Sequence, residues 1–174
     1  MEKKALPMMS FGKAVATCLK KYANFKGRAR RSEYWWFWLL TYIPSVGFSY
    51  LFNWKLTMRS ELESQIADAL FDQEKQDALL AQASAADSTF ATWACVLGII
   101  LLLLLLPSLA VLCRRLHDTG RSGWFILLNF IPIVNFVTLI MTFIYTLLDS
   151  KPEDNKYGPS PKYVSVDAAE PAAE

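Results

Sequence analysis

Histidine occurs once in these 174 residues, at His117, and cysteine three times, at Cys18, Cys95 and Cys113, with no Cys-x-x-Cys pair. Metal cages need several His, Cys or carboxylate ligands around one ion. No metal site is therefore expected, and the cysteines read as free thiols, Cys95 in an apolar run and the other two beside basic clusters. Glycine is scarce, at seven residues, and no Gly-x-x-x-x-Gly-Lys loop is present to cradle a phosphate. A serine-centred nucleophile elbow and a cysteine–histidine dyad of workable spacing are missing too. The chain is not expected to be an enzyme or to hold a cofactor. Charges recur through Arg31 before any apolar run begins, so no cleavable signal peptide is expected either. Ala14-Val15-Ala16-Thr17-Cys18 imitates a lipoprotein cleavage box, but nothing hydrophobic precedes it.

The absence that says most is of charge. Hydrophobic residues make up 53% of the chain, and they gather where no Asp, Glu, Lys or Arg occurs. Three such stretches lie between Glu33 and Lys55, Asp87 and Arg114, and Arg121 and Asp149, with 21, 26 and 27 residues. A helix rising about 1.5 Å per residue crosses a hydrocarbon core about 30 Å thick in roughly 20 residues. Each stretch is long enough to span once and too short for a helical hairpin that spans twice. The expected fold is an all-α membrane protein with three transmembrane helices, at about 34–53, 90–112 and 124–148.

The net charge of +2 conceals a segregation. Residues 1–33 balance at +7, residues 53–89 at −4, the connector 113–123 at +2 and the tail from Asp149 at −3. Lys and Arg accumulate on the cytoplasmic side of membrane proteins. Three crossings would then place the N-terminus and the connector in the cytoplasm, and the acidic loop and the tail outside.

Along the chain, Ser10 stands where a helix cap belongs. Phe11, Val15, Cys18 or Leu19, and Tyr22 follow at helical spacing among Lys13, Lys20 and Lys21, a basic amphipathic helix. It can lie on the membrane interface or pack on the protein's own cytoplasmic side. Tyr34-Trp35-Trp36-Phe37-Trp38 opens the first span with rings that favour the headgroup level. Over 60–86, Leu62, Ile66 and Leu70 recur among acidic residues without Gly or Pro, which predicts one exposed amphipathic helix outside the membrane. The third span contains Pro132. Its Asn135, Thr138, Thr142 and Tyr145 share one face, either a packing face between helices or the lining of a solute path. The polar tail, 149–174, ends in an Ala/Glu/Pro run expected to be disordered.

Two basic segments stand apart: Gly27-Arg28-Ala29-Arg30-Arg31-Ser32-Glu33-Tyr34-Trp35-Trp36-Phe37 and Arg114-Arg115-Leu116-His117-Asp118-Thr119-Gly120-Arg121-Ser122-Gly123-Trp124. Together with Ile131-Pro132, Asn135 and Asn155-Lys156-Tyr157-Gly158-Pro159-Ser160-Pro161, they resemble the domain-of-unknown-function 805 (YhaH-like) family of small bacterial inner-membrane proteins. The resemblance implies a multi-span protein of the bacterial inner membrane and supplies no activity. The acidic 53–89 segment is longer than in the shortest members and gains least from it.

Read from the residues, both basic clusters belong to one membrane face, where Arg28, Arg30, Arg31, Arg114, Arg115 and Arg121 with His117 meet only Glu33 and Asp118. Guanidinium groups form paired hydrogen bonds with carboxylates and phosphates. Two readings follow. In one, Glu33 and Asp118 each hold an arginine and fix the packing, while the other arginines sit among anionic lipid headgroups. In the other, the cluster is a preformed site for a phosphate-bearing ligand or an acidic partner. His117 is expected to cap a helix end or touch a headgroup, and Ser122 to cap the third span. The sequence thus favours a non-catalytic scaffold or regulator, with a lipid- or phosphate-binding module and an oligomeric transporter as alternatives. Its partners would be membrane lipids and a second membrane-protein chain or copy, and no nucleic acid.

Overall fold

A computed structural model describes residues 3–69 and 71–165. Among them the chain forms five helices and one two-stranded pairing. They divide into two compact units: the described residues up to Leu40 with those from Leu105 onward, and Thr41–Leu104.

Helix α1, Phe11–Lys20, starts at Ser10, whose carbonyl accepts the Ala14 N–H at 2.9 Å. The Ser10 side chain makes no capping bond, contrary to expectation. Ala14 and Cys18, one turn apart, are fully buried, whereas Phe11, Leu19 and Tyr22 stay exposed. A narrow small-residue stripe thus faces the protein, and Phe11 sets its edge on Trp36 at 5.6 Å.

Helix α2, Arg31–Asp68, does not end near Asn53 as expected. Beyond Gly47 nothing in its sequence breaks a helix, and its polar side chains are consumed locally. Ser45, Ser49, Asn53 and Thr57 each donate to the carbonyl four residues earlier, at 2.8, 3.0, 2.9 and 3.1 Å. Helix α3, Gln73–Asp118, is 46 residues long and contains the leucine tract and Pro107. Among the described residues it is the one helix long and apolar enough to cross a membrane by length and composition. Within Thr41–Leu104 the two helices run antiparallel, tied by Lys55–Asp87 at 3.1 Å and a small core of Leu62, Ala69 and Leu79.

The acidic 60–86 segment is therefore not one helix but the end of α2, a turn and the start of α3. Asp72 makes the turn without Gly or Pro. Its carboxylate accepts the Lys75 N–H at 3.1 Å, its carbonyl accepts the Gln76 N–H at 3.0 Å, and Gln76 reaches back to the Ala69 carbonyl at 3.0 Å. Leu70 lies outside the described residues.

Gly120, at φ +85°, ends α3 in a Schellman closure. Its N–H meets the His117 carbonyl at 3.0 Å, and Arg121 N–H meets Leu116 at 2.9 Å. Residues 124–148 then fail to make the single continuous span expected of them. A 3-10 helix, Gly123–Phe130, capped by the Ser122 hydroxyl, gives way at Ile131 to α4, Pro132–Leu147. Proline lacks an N–H and crowds the preceding turn, so it starts a helix more readily than it continues one. The two pieces fold against each other, with Thr138 Oγ1 donating to Asn129 Oδ1 at 2.6 Å and Phe125 edge-on to Tyr145 at 5.9 Å. Gly123 lies against Cys113, while Arg115 donates to the Leu148 carbonyl and Trp35 to that of Thr146 at 3.3 Å. The segment therefore begins and ends beside the same turns of α3.

The tail also departs from expectation. Strand β1, Lys3–Ala5, pairs antiparallel with β2, Tyr163–Ser165, with Lys4 opposite Val164. Residues 149–165 are thus folded against the N-terminal segment and not set apart on an opposite face. The last residues of the tail, expected to be disordered, lie outside the described residues.

Candidate functional site

The two basic segments meet at the ends of α2 and α3. Ala29 N–H donates to the Arg114 carbonyl at 3.0 Å, which seats the Arg28–Arg31 turn on the last turns of α3. Asp118, fully buried, receives two arginines: Arg28 Nε on Oδ1 at 2.7 Å and Arg115 Nη1 on Oδ2. Glu33 Oε1 accepts Arg114 Nη1 at 2.5 Å. Arg28 completes its set on the tail, with the Lys151 and Glu153 carbonyls at 2.7 Å each and Gly158 at 3.3 Å. Arg30 is held by the Pro161 and Pro7 carbonyls.

His117 neither caps a helix end nor points outward. Its ring stacks flat on Tyr157 at 3.8 Å, its Nδ1 is 3.2 Å from the Gly27 carbonyl, and Asn155 donates to its own carbonyl at 2.9 Å. Arg121 lies over the Tyr145 ring at 5.2 Å, and Arg31 remains exposed. Along α4, Thr138, Thr142 and Tyr145 are buried and Asn135 half-buried, so this face is turned toward protein.

Burial dominates the electrostatics. It pushes the Cys18 thiol up to about 12, and the Glu33 carboxylate, 3.8 Å away, pushes the same way. It lowers Arg115 against the opposing pull of Asp118, and lowers His117 against the Gly27 carbonyl. Taking ions out of water is costly unless each finds partners. Arg28 finds them fully. Arg114 keeps Nε and Nη2, and Arg115 its Nε, without a hydrogen-bond partner.

Arg28, Arg30, Glu33, Arg114, Arg115, His117 and Asp118 thus come together, while Arg31 and Arg121 stand aside. Tyr157, Asn155 and the tail carbonyls complete the cluster and were not expected in it. The quoted Asn-Lys-Tyr-Gly-Pro-Ser-Pro motif was the one available signal, since backbone acceptors leave no mark in a sequence. Among the described residues no three His, Cys, Asp or Glu side chains are grouped to hold a metal ion.

Long helices, one of them apolar enough to cross a bilayer, closed by a buried arginine–carboxylate cap, define a helical membrane protein. The chain belongs to the family described as "Protein of unknown function (DUF805)", which matches residues 22–159. It is similar to inner membrane protein YhaH of Escherichia coli (strain K12), 33% identical over 144 residues, covering 83% of this chain and 92% of the relative. It is also similar to inner membrane protein YhaI of the same strain, 31% identical over 147 residues, covering 84% and 93%. No solved structure matches. The chain is accordingly a protein of the bacterial inner membrane.

Proposed function

We propose that this chain is a non-catalytic scaffold or regulator of the inner membrane, built on two crossings and a re-entrant hairpin under a cytoplasmic cap. The observation that carries this reading is the double engagement of Asp118, with Arg28 from the first basic segment and Arg115 from the second. Side chains that sequence alone offers to a phosphate or an acidic partner are committed to holding helix ends together.

The topology follows from three supports. The N-terminal segment and 113–123 are basic, which favours the cytoplasm. Helices α2 and α3 are long enough to cross, whereas α4, at 16 residues, rises only about 24 Å and returns to where its hairpin began. The paired tail then shares the side of the N-terminus. Backbone that dips into a bilayer is tolerated where it is buried in protein, and the hairpin's polar side chains also pair, Thr138 with Asn129. This arrangement leaves the Thr138–Tyr145 face for packing and weakens the transporter alternative.

Single cysteines at Ser122, Ser165 and Ser84, labelled in intact cells with an impermeant maleimide, test it. The expected result is labelling of Ser84→Cys alone, with Ser122→Cys and Ser165→Cys reacting only after the inner membrane is opened. Labelling of Ser165→Cys from outside would overturn the two-crossing reading.

A further inference from the structure

A cavity of about 580 Å³ lies between the N-terminal segment and the first turns of α2, within the size range of small-ligand pockets. Its wall is aromatic and already set in place. Trp35 donates its indole N–H to the Thr146 carbonyl at 3.3 Å and Trp36 to that of Met9 at 3.0 Å, so carbon faces are what these rings have left to offer. Trp38 stands edge-on to Trp35 at 5.5 Å, and Leu39 and Met8 extend the apolar surface.

The rim is cationic in a way the cap is not. Arg28, Arg114 and Arg115 each have a carboxylate within ion-pair distance. Among the described residues Arg30 is bonded to backbone carbonyls and is in no ion pair, and exposed Arg31 is in no ion pair or side-chain hydrogen bond, with Glu33 and Asp149 acting on them only through space. The one carboxylate lining the cavity, Asp149, is taken up by Lys162 at 2.5 Å. Among the described residues, two guanidinium groups therefore border an apolar wall with no carboxylate in ion-pair contact. A second cavity, beside Gly123, has Lys26 and no arginine in its lining.

We propose that this cavity binds one anionic phospholipid, with its phosphodiester between Arg30 and Arg31 and the upper part of an acyl chain along Trp35, Trp38 and Leu39. Guanidinium donors match a phosphate in pairs, and interfacial aromatic rings suit the glycerol level just below it. The assignment rests on the orientation proposed above, which sets the rim at the headgroups of the cytoplasmic leaflet, where anionic lipid attracts basic side chains. Arg114 and Arg115, buried and paired, have no part in it.

Native mass spectrometry of the full-length protein, released from vesicles of equal phosphatidylglycerol and phosphatidylcholine, reads the bound lipid. Wild type should retain one phosphatidylglycerol in preference to phosphatidylcholine. Arg31→Gln should lower that retention about fivefold, the effect of one basic side chain near a charged surface. Lys13→Gln, on exposed α1 away from the cavity, should leave it unchanged. Arg30→Gln removes backbone hydrogen bonds and is read only if the protein stays folded; Arg31→Gln decides, because its side chain holds nothing in place. Equal retention of the two lipids overturns the proposal, as does an Arg31→Gln protein that behaves as wild type. Complete displacement by inorganic phosphate would assign the site to a free anion and overturn it equally. Loss of lipid preference while Ser165→Cys still labels as cytoplasmic sinks this inference alone; labelling from outside sinks the orientation, whatever the vesicles report.

Discussion

Each oxygen of Asp118 meets a different arginine, so its removal leaves two buried guanidinium groups without their ion-pair partner. Taking one partner from a buried pair costs about 3–5 kcal/mol. Asp118→Asn keeps the shape and removes the charge, and it should lower the melting temperature in detergent by an amount of that size. An unchanged melting curve would mean that the arginines are free for ligands and the cap is not structural. Cys18 permits a second residue-scale prediction. Its thiol is raised to about 12 by burial first and Glu33 second. A raised value favours the protonated folded state, so that stability is fully present below the thiol's ordinary value of 9.0 and drains as pH climbs toward about 12. Stability should fall more steeply above pH 9 in wild type than in Cys18→Ser, by up to about 1.4 kcal/mol per pH unit for one proton. Equal slopes for the two proteins would refute the assignment.

At the scale of elements, the hairpin of the 3-10 helix and α4 depends on how closely Gly123 approaches α3. A Cβ there would run into Cys113 Sγ, far inside any tolerable contact. Gly123→Ala should destabilise by about 1–3 kcal/mol, as overpacking does. Cys113→Ala should restore most of that loss in the double variant, and additive losses in a thermal double-mutant cycle would show that the clash is not the cause. Much of the helical content was legible in the sequence: α1 in the spacing of Phe11, Val15, Cys18 or Leu19, and Tyr22, and α3 in its uncharged run. Element ends were less so. Asp72 ends one helix and begins the next through side-chain and backbone bonds that no breaker residue announces. Pro132 did announce a break, and reading it as tolerated inside a span was the error. In the topology proposed above, this 27-residue apolar stretch turns back instead of crossing, its polar residues finding each other.

For the whole molecule, the topology proposed above puts the tail on the same side as the N-terminus. The tail's net negative charge points outward by simple alternation, yet acidic residues orient weakly, and the tail's carbonyls are acceptors for Arg28 and Arg30. Removing residues 149–165 strips those acceptors and the β1–β2 pairing together. Trypsin should then cut after Arg28, Arg30 or Arg31 in the truncated protein and spare the full chain in detergent. Equal digestion of the two would show that the tail does not close the cap.

The sequence by itself determined that this is a helical inner-membrane protein, because uncharged runs of that length can shed their backbone polarity only within helices, and because its basic motifs mark its family. It also named the arginines and the two buried carboxylates. Which arginine meets which carboxylate, where the tail folds, and that the last apolar stretch breaks into two helices were decided only by tertiary structure. Those outcomes depend on backbone carbonyls and on contacts between residues far apart in the chain, such as Lys3 with Asp154, and neither leaves a periodic trace along the chain.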